Sequence, residues 1–153
     1  MYELELKIML EAGKKAREKI MEIYNNGFTV EIKEDNSPVT QADKQADQII
    51  RNFLKEHFPK YAILTEESND DLSRLDNDYC FIVDPVDGTK DFVAKNGEFA
   101  TNIALSYKHE IVVGVVFIPA KGDIYYAIVN QGAYHIYPNG EIKRMHVNDK
   151  TNE

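Results

Sequence analysis

The hydrophobic pattern is dominated by helical spacing in the first part of this chain and by alternation in the last, and that shift limits the possible folds more than anything else does. In the first part, apolar residues recur at helical spacing. Leu4, Ile8, Ala12, Ala16, Ile20 and Ile23 predict an amphipathic helix over residues 3–24, ended by Asn25-Asn26-Gly27. A second helix is predicted from about Thr40, with Ala42, Ala46, Ile49, Ile50, Phe53 and Leu54 facing inward and Pro59 closing it. Between them, residues 28–33 alternate as a half-buried strand would, and residues 34–38 read as a polar turn or a mobile loop. Residues 62–64 form a short strand signal and 68–77 a polar loop. From residue 79 on the period is two. Strand signals at 79–83, 100–107, 111–117, 123–129 and 133–137 are separated by turn-like residues, the pattern of an antiparallel meander. Helices followed by strands make an α+β layer structure, with two helices packed on a mostly antiparallel sheet.

The chemistry-bearing stretch is Asp84-Pro85-Val86-Asp87-Gly88-Thr89. It places two carboxylates three residues apart, with proline turning the chain between them, at the C-terminal end of the apolar run Phe81-Ile82-Val83. Two carboxylates and a peptide carbonyl make a hard oxygen site of the kind Mg²⁺ prefers. Gly88 and Thr89 add backbone amides and a hydroxyl for a phosphate, provided a short helix starts at Asp87. A plain Pro-Asp-Gly turn accounts for the same six residues. Elsewhere, Thr40-Gln-Ala-Asp43 fits a helix capping box. His57, His109, His135 and His146 show no ligand spacing and read as structural or surface residues.

Length and composition set the outer bounds. At 153 residues, 43% hydrophobic and 29% charged, the chain is one globular domain with room for a core. Net charge of −8 argues against a protein that coats nucleic acid polymers. An acidic chain that handles phosphates needs cations from elsewhere, although −8 also simply favours solubility. The longest apolar run, residues 111–118, is interrupted by Gly114 and too short for a transmembrane segment. No basic region precedes an apolar run at the N-terminus, so no signal peptide is evident. Cys80 is the only cysteine, which excludes an internal disulfide, and its apolar neighbours make it an inert core thiol. A cytoplasmic setting is expected.

Four segments in order resemble one known family. Asp84-Pro-Val-Asp-Gly-Thr-Lys-Asp-Phe92 is similar to the signature of the Mg²⁺-dependent, lithium-sensitive phosphatases related to inositol monophosphatase. Val39-Thr-Gln-Ala-Asp43, Thr65-Glu66-Glu67-Ser68 and Asn96-Gly-Glu-Phe-Ala-Thr-Asn-Ile-Ala-Leu105 match the same family. The Lys90-Asp91-Phe92 ending and the Asn-Gly-Glu-Phe segment look most like its CysQ branch, the 3'(2'),5'-bisphosphate nucleotidases.

The resemblance implies roles for particular residues. Glu66, Asp84 and the Val86 carbonyl would bind one Mg²⁺, and Asp87 with Asp84 a second. Asp43 and Thr89 would orient the attacking water, while Gly88, Thr89 and Lys90 would meet the substrate. Lys90 also reads as a surface lysine or a partner of Asp91, and Glu67 takes a secondary role. The implied substrate is a small nucleotide bisphosphate, 3'-phosphoadenosine 5'-phosphate. A polyol phosphate, or a non-catalytic module that only binds metal or phosphate, are the alternatives.

Family members also carry a later Trp-Asp motif that supplies a further metal ligand. This chain has no tryptophan. Residues 1–153 are therefore expected to form the N-terminal metal- and phosphate-binding domain of an α/β sandwich, without its C-terminal domain. The apolar surface left open would favour a homodimer or other self-association.

Overall fold

Two long helices cover one face of a seven-stranded sheet in the computed structural model, which describes residues 1–149. Helix α1 (Glu3–Asn26) buries Ile8, Met9, Ala12, Gly13, Ala16, Ile20 and Ile23. Its small residues let the sheet approach closely. A Cβ built on Gly13 would lie 2.0 Å from the Phe117 ring, so only glycine fits there. Gly13→Ala is expected to lower stability by about 1–3 kcal/mol, the usual cost of overpacking. Chemical denaturation checks this, and an unchanged midpoint would mean that Phe117 moves aside freely.

A β-hairpin follows, β1 (Val30–Ile32) paired with β2 (Pro38–Thr40). This differs from the expected half-buried strand over 28–33, because all three β1 residues are exposed. The polar residues expected to form a turn or loop close the hairpin. Asp35 accepts from the Ser37 amide at 2.9 Å, and Asn36 takes a left-handed φ of 65°. Helix α2 (Gln41–His57) begins at Thr40 as predicted. The Thr40 hydroxyl accepts from the Ala42 amide at 3.1 Å, and the Asp43 carboxylate accepts from the Thr40 amide at 2.8 Å.

The sheet runs β3 (Ala62–Thr65), β4 (Tyr79–Asp87), β5 (Ala100–Tyr107), β6 (Glu110–Ile118), β7 (Asp123–Ile128), β8 (Gly132–Ile136) and β9 (Ile142–Met145) in spatial order. Strand β3 joins β4 in parallel; β4 to β8 form the predicted antiparallel meander, and β9 extends it by one antiparallel strand. A 3₁₀ turn, Ser73–Leu75, lies within the polar loop expected between β3 and β4. Phe81, Val83, Ile103, Leu105, Val113, Val115 and Phe117 point toward the helices and form the core. Their neighbours Ile82, Ala104, Gly114 and Val116 face the other way, and Ile82 and Val116 remain 38% and 37% exposed.

Two further expectations need correction, and one strand was not foreseen. Strand β4 does not stop at Val83 but continues to Asp87, so the Asp-Pro stretch is a bulged strand and not a turn. Strand β5 pairs with both flanks of the bulge, Asp84 with Asn102 and Asp87 with Ala100, and holds the chain extended. Helix α3 (Thr89–Val93) begins at Thr89 and not at Asp87, with Gly88 at a left-handed φ of 87° before it. Strand β9 carried no alternation to find, since all four of its residues are exposed.

Candidate metal and phosphate site

The bulge at the end of β4 turns consecutive backbone groups in different directions. Pro85 and Val86 are buried, whereas Asp84 is half-buried and Asp87 exposed. The buried Thr101 hydroxyl donates to the Pro85 carbonyl at 2.8 Å, and the Asn102 side-chain Nδ2 donates to Asp87 Oδ2 at 3.1 Å. The Asn96–Leu105 segment, read from its pattern as a polar loop and strand and tied to the site only by resemblance, thereby gains a physical role as the buttress of the Asp-Pro bulge.

Residues expected at the site do converge. Glu66, Asp84, Val86, Asp87, Gly88, Thr89 and Lys90 line one cleft of about 290 Å³, with Lys33, Glu67 and Asp91 among its other walls. Asp43 stands directly behind it. Its carboxylate is buried, with Oδ2 accepting from the Thr40 amide and hydroxyl, each at 2.8 Å. Oδ1 accepts from the Thr89 hydroxyl, also at 2.8 Å. Asp43 is therefore both helix cap and partner of Thr89. The Thr89 oxygen also lies 3.2 Å from the Val86 carbonyl. Lys90 sits exposed on the rim, and Asp91 is bonded not to it but to Asn96 at 2.7 Å.

Two site residues carried no chemical signal in the sequence. Lys33, at the end of the exposed hairpin, reaches over the cleft and donates to Glu67 Oε1 at 2.7 Å. Burial works against its charge, but the bond to Glu67 and the fields of Glu67, Glu66 and Asp43 prevail and raise its pKa. Asn102 is the other. Both act through partners far away in sequence, which no local pattern records. None of the four histidines joins the cleft. His135 is instead stacked between Tyr125 and Tyr137 and bonded to Asp123 at 2.7 Å.

Among the described residues, no three His, Cys, Asp or Glu side chains stand close enough to hold a metal ion unaided. The donors present still suit a hard cation, because one oxygen lacks any other partner. Asp84 Oδ1 is buried and makes no hydrogen bond to the described residues. Burial first, then the charge and proximity of Glu66, then Asp87 and Asp43, push the Asp84 carboxyl up to about 7. Glu67 is raised too, by burial first and by Asp43 and Glu66 against the pull of Lys33. A cluster of crowded carboxylates is relieved by a cation, and all of its donors are oxygens.

Comparison with known proteins yields consistent similarities. The sequence profile of the Inositol monophosphatase family matches residues 2–153. The 3'(2'),5'-bisphosphate nucleotidase CysQ of Aggregatibacter actinomycetemcomitans is 33% identical over 140 residues, covering 90% of this chain and 52% of that protein. Nus factor SuhB of Escherichia coli K12 is 35% identical over 130 residues, covering 84% and 48%. The crystal structure of CysQ from Bacteroides thetaiotaomicron superposes with a TM-score of 0.82 at 33% identity, covering 99% of this chain and 61% of that one. The chain spans about half the length of the curated relatives it matches. Among the described residues, no helix is long and apolar enough to cross a membrane.

Proposed function

This chain belongs to the inositol monophosphatase family, and on that premise we propose that it supplies the metal- and phosphate-binding domain of a Mg²⁺-dependent phosphomonoester hydrolase. The proposed reaction removes the 3'-phosphate of 3'-phosphoadenosine 5'-phosphate. The observation that carries the reading is the buried, unpartnered Asp84 oxygen beside the Thr89–Asp43 pair. Glu66, Asp84 and the Val86 carbonyl would hold one Mg²⁺, and Asp84 with Asp87 would contribute to a second. Bound there, the metal would neutralise the phosphoryl oxygens and stabilise the leaving alkoxide.

The chain's own groups do the rest. Thr89 spends its proton on Asp43 and keeps lone pairs free to accept from, and so orient, a water. The Gly88 and Thr89 amides meet the phosphate, and Lys90 on the rim suits a second phosphate of the same nucleotide. A nucleotide substrate suits the cytoplasm.

SuhB matches at an identity similar to that of CysQ, and the family takes its name from inositol monophosphatase. Together these support a second reading as a polyol phosphatase. Calorimetry of Mg²⁺ binding, combined with phosphate release from the nucleotide bisphosphate and from inositol monophosphate, separates the possibilities. Preferential hydrolysis of the nucleotide is expected. Preference for inositol monophosphate would favour the second reading, and Mg²⁺ binding without turnover of either would favour a non-catalytic module.

We also propose that residues 1–153 in isolation self-associate through the open sheet face around Ile82, Ala104 and Val116. In a solution of this chain alone, only a second copy can remove that apolar surface from water. Sedimentation should show concentration-dependent dimers, and Val116→Glu should shift them to monomer. A strictly monomeric wild-type chain would overturn this.

A further inference from the structure

Helix α2 carries two buried acids one turn apart, Asp43 and Asp47, and they reach different strands' ends. Asp43 holds Thr89, just after β4. Asp47 Oδ2 accepts from the Ser68 hydroxyl at 2.6 Å, just after β3. An i, i+4 pair lies on one helix face at a fixed spacing.

Resting on the metal-site reading above, we propose that Asp47 is a positioning residue for Glu66. With Asp43, it makes α2 a rigid bar that sets the distance between the Glu66 segment and the Asp84–Thr89 segment. Glu66 sits between two tethers. Its own amide donates to the Val83 carbonyl at 3.3 Å. Two residues on, Ser68 is held at both ends, with its amide donating to Thr65 Oγ1 at 3.0 Å and its hydroxyl donating to Asp47. A short bond from a hydroxyl to a carboxylate is among the stronger hydrogen bonds available to a protein.

A purely structural role explains Asp47 poorly. Its side chain is only 5% exposed, and its second oxygen, Oδ1, is buried without a hydrogen bond among the described residues. The Arg51 guanidinium, one turn further on and 41% exposed, forms an ion pair with Oδ2 at 3.6 Å, too long for a hydrogen bond, and leaves Oδ1 unserved. Apolar side chains at both 47 and 68 would fill the same space without stranding a buried oxygen, and such paired replacements are often neutral or stabilising. Arrangements that break a packing rule in this way concentrate at functional sites. Partners of metal ligands also matter measurably, since removing one commonly costs ten- to hundredfold in metal affinity.

The test uses Ser68→Ala, Asp47→Ala, the double variant and Ser68→Thr. Calorimetry at a temperature where each is folded should show Mg²⁺ affinity about ten- to hundredfold weaker in both alanine variants. The double variant should be no worse than the singles, because both act through one bond, and Ser68→Thr should retain affinity. In the metal-free protein, the Glu66 amide resonance should shift in all the alanine variants, and the Ser68 amide resonance in Asp47→Ala. Folded Ser68→Ala with unaltered Mg²⁺ affinity and unaltered Glu66 amide would overturn the proposal, as would additive losses in the double variant. If the wild-type chain itself binds no Mg²⁺, the metal-site reading falls. The tether then stands or falls on the metal-free amide spectra alone.

Discussion

Asp84→Asn is expected to abolish Mg²⁺ binding and phosphate release while making the metal-free protein more stable at neutral to alkaline pH. The two effects share one cause. The Asp84 carboxyl, pushed up to about 7 by burial and then by Glu66, Asp87 and Asp43, is a charge the fold resists unless a cation accompanies it. A carboxyl whose pKa is raised on folding binds its proton more tightly in the folded state. Its contribution therefore favours folding most at acid pH and is lost as pH climbs from about 4 to about 7.

Asparagine removes the charge and with it this pH dependence. At one pKa unit per 1.36 kcal/mol, discounted for a half-exposed group, the gain in chelator at pH 8 is about 1–2 kcal/mol. Mg²⁺ competes with the same proton, so wild-type affinity should fall by at most about tenfold per unit below pH 7. Glu66→Gln should likewise abolish turnover. Thermal melts with chelator and with Mg²⁺, together with a phosphate-release assay, measure all of this. Near-normal activity of both variants at saturating Mg²⁺ would sink the metal assignment.

Thr89→Ala should slow hydrolysis by about two to four powers of ten, the range for a positioned acid or base group. The 2.8 Å bond to Asp43 fixes where the hydroxyl proton points, and alanine removes both the proton and the lone pairs that would receive the water. Mg²⁺ affinity should stay within about twofold, because neither residue is assigned to a metal. Thr89→Ser, which keeps the hydroxyl, should recover most of the rate. If Thr89→Ala weakened Mg²⁺ binding in step with activity, the assignment of Thr89 to water and not metal would be wrong.

How much of this was legible before any coordinates depended on the range of the forces involved. Helix α2 and its cap were readable because Thr40 and Asp43 are three residues apart and satisfy each other locally. Strand β4 as far as Val83, and strands β5 and β6, were readable because a sheet with one face against helices enforces alternation, and Phe81, Val83, Ile103, Leu105, Val113 and Val115 obey it. Strand β1 was read within residues 28–33 but with a buried side that it lacks, β2 escaped because three residues are too few to show alternation, and β9 escaped because an exposed strand has no buried side to write into its composition. The Asp-Pro stretch looked like a turn, since proline and glycine signal turns locally. It is extended because β5, more than a dozen residues later, pairs across it.

By itself, then, the sequence determined the layer class and the order of the main elements, through short-range periodicity and local capping. Its resemblance to a known family, more than periodicity or spacing, singled out the acidic groups that meet in the cleft. Tertiary structure alone decided that Thr89 bonds to Asp43, Lys33 to Glu67, Asn102 to Asp87 and Ser68 to Asp47. Each of those bonds joins separate segments of the chain. Its partner is chosen by the packing of helices on the sheet and the register of the strands, and no window of neighbouring residues contains that information.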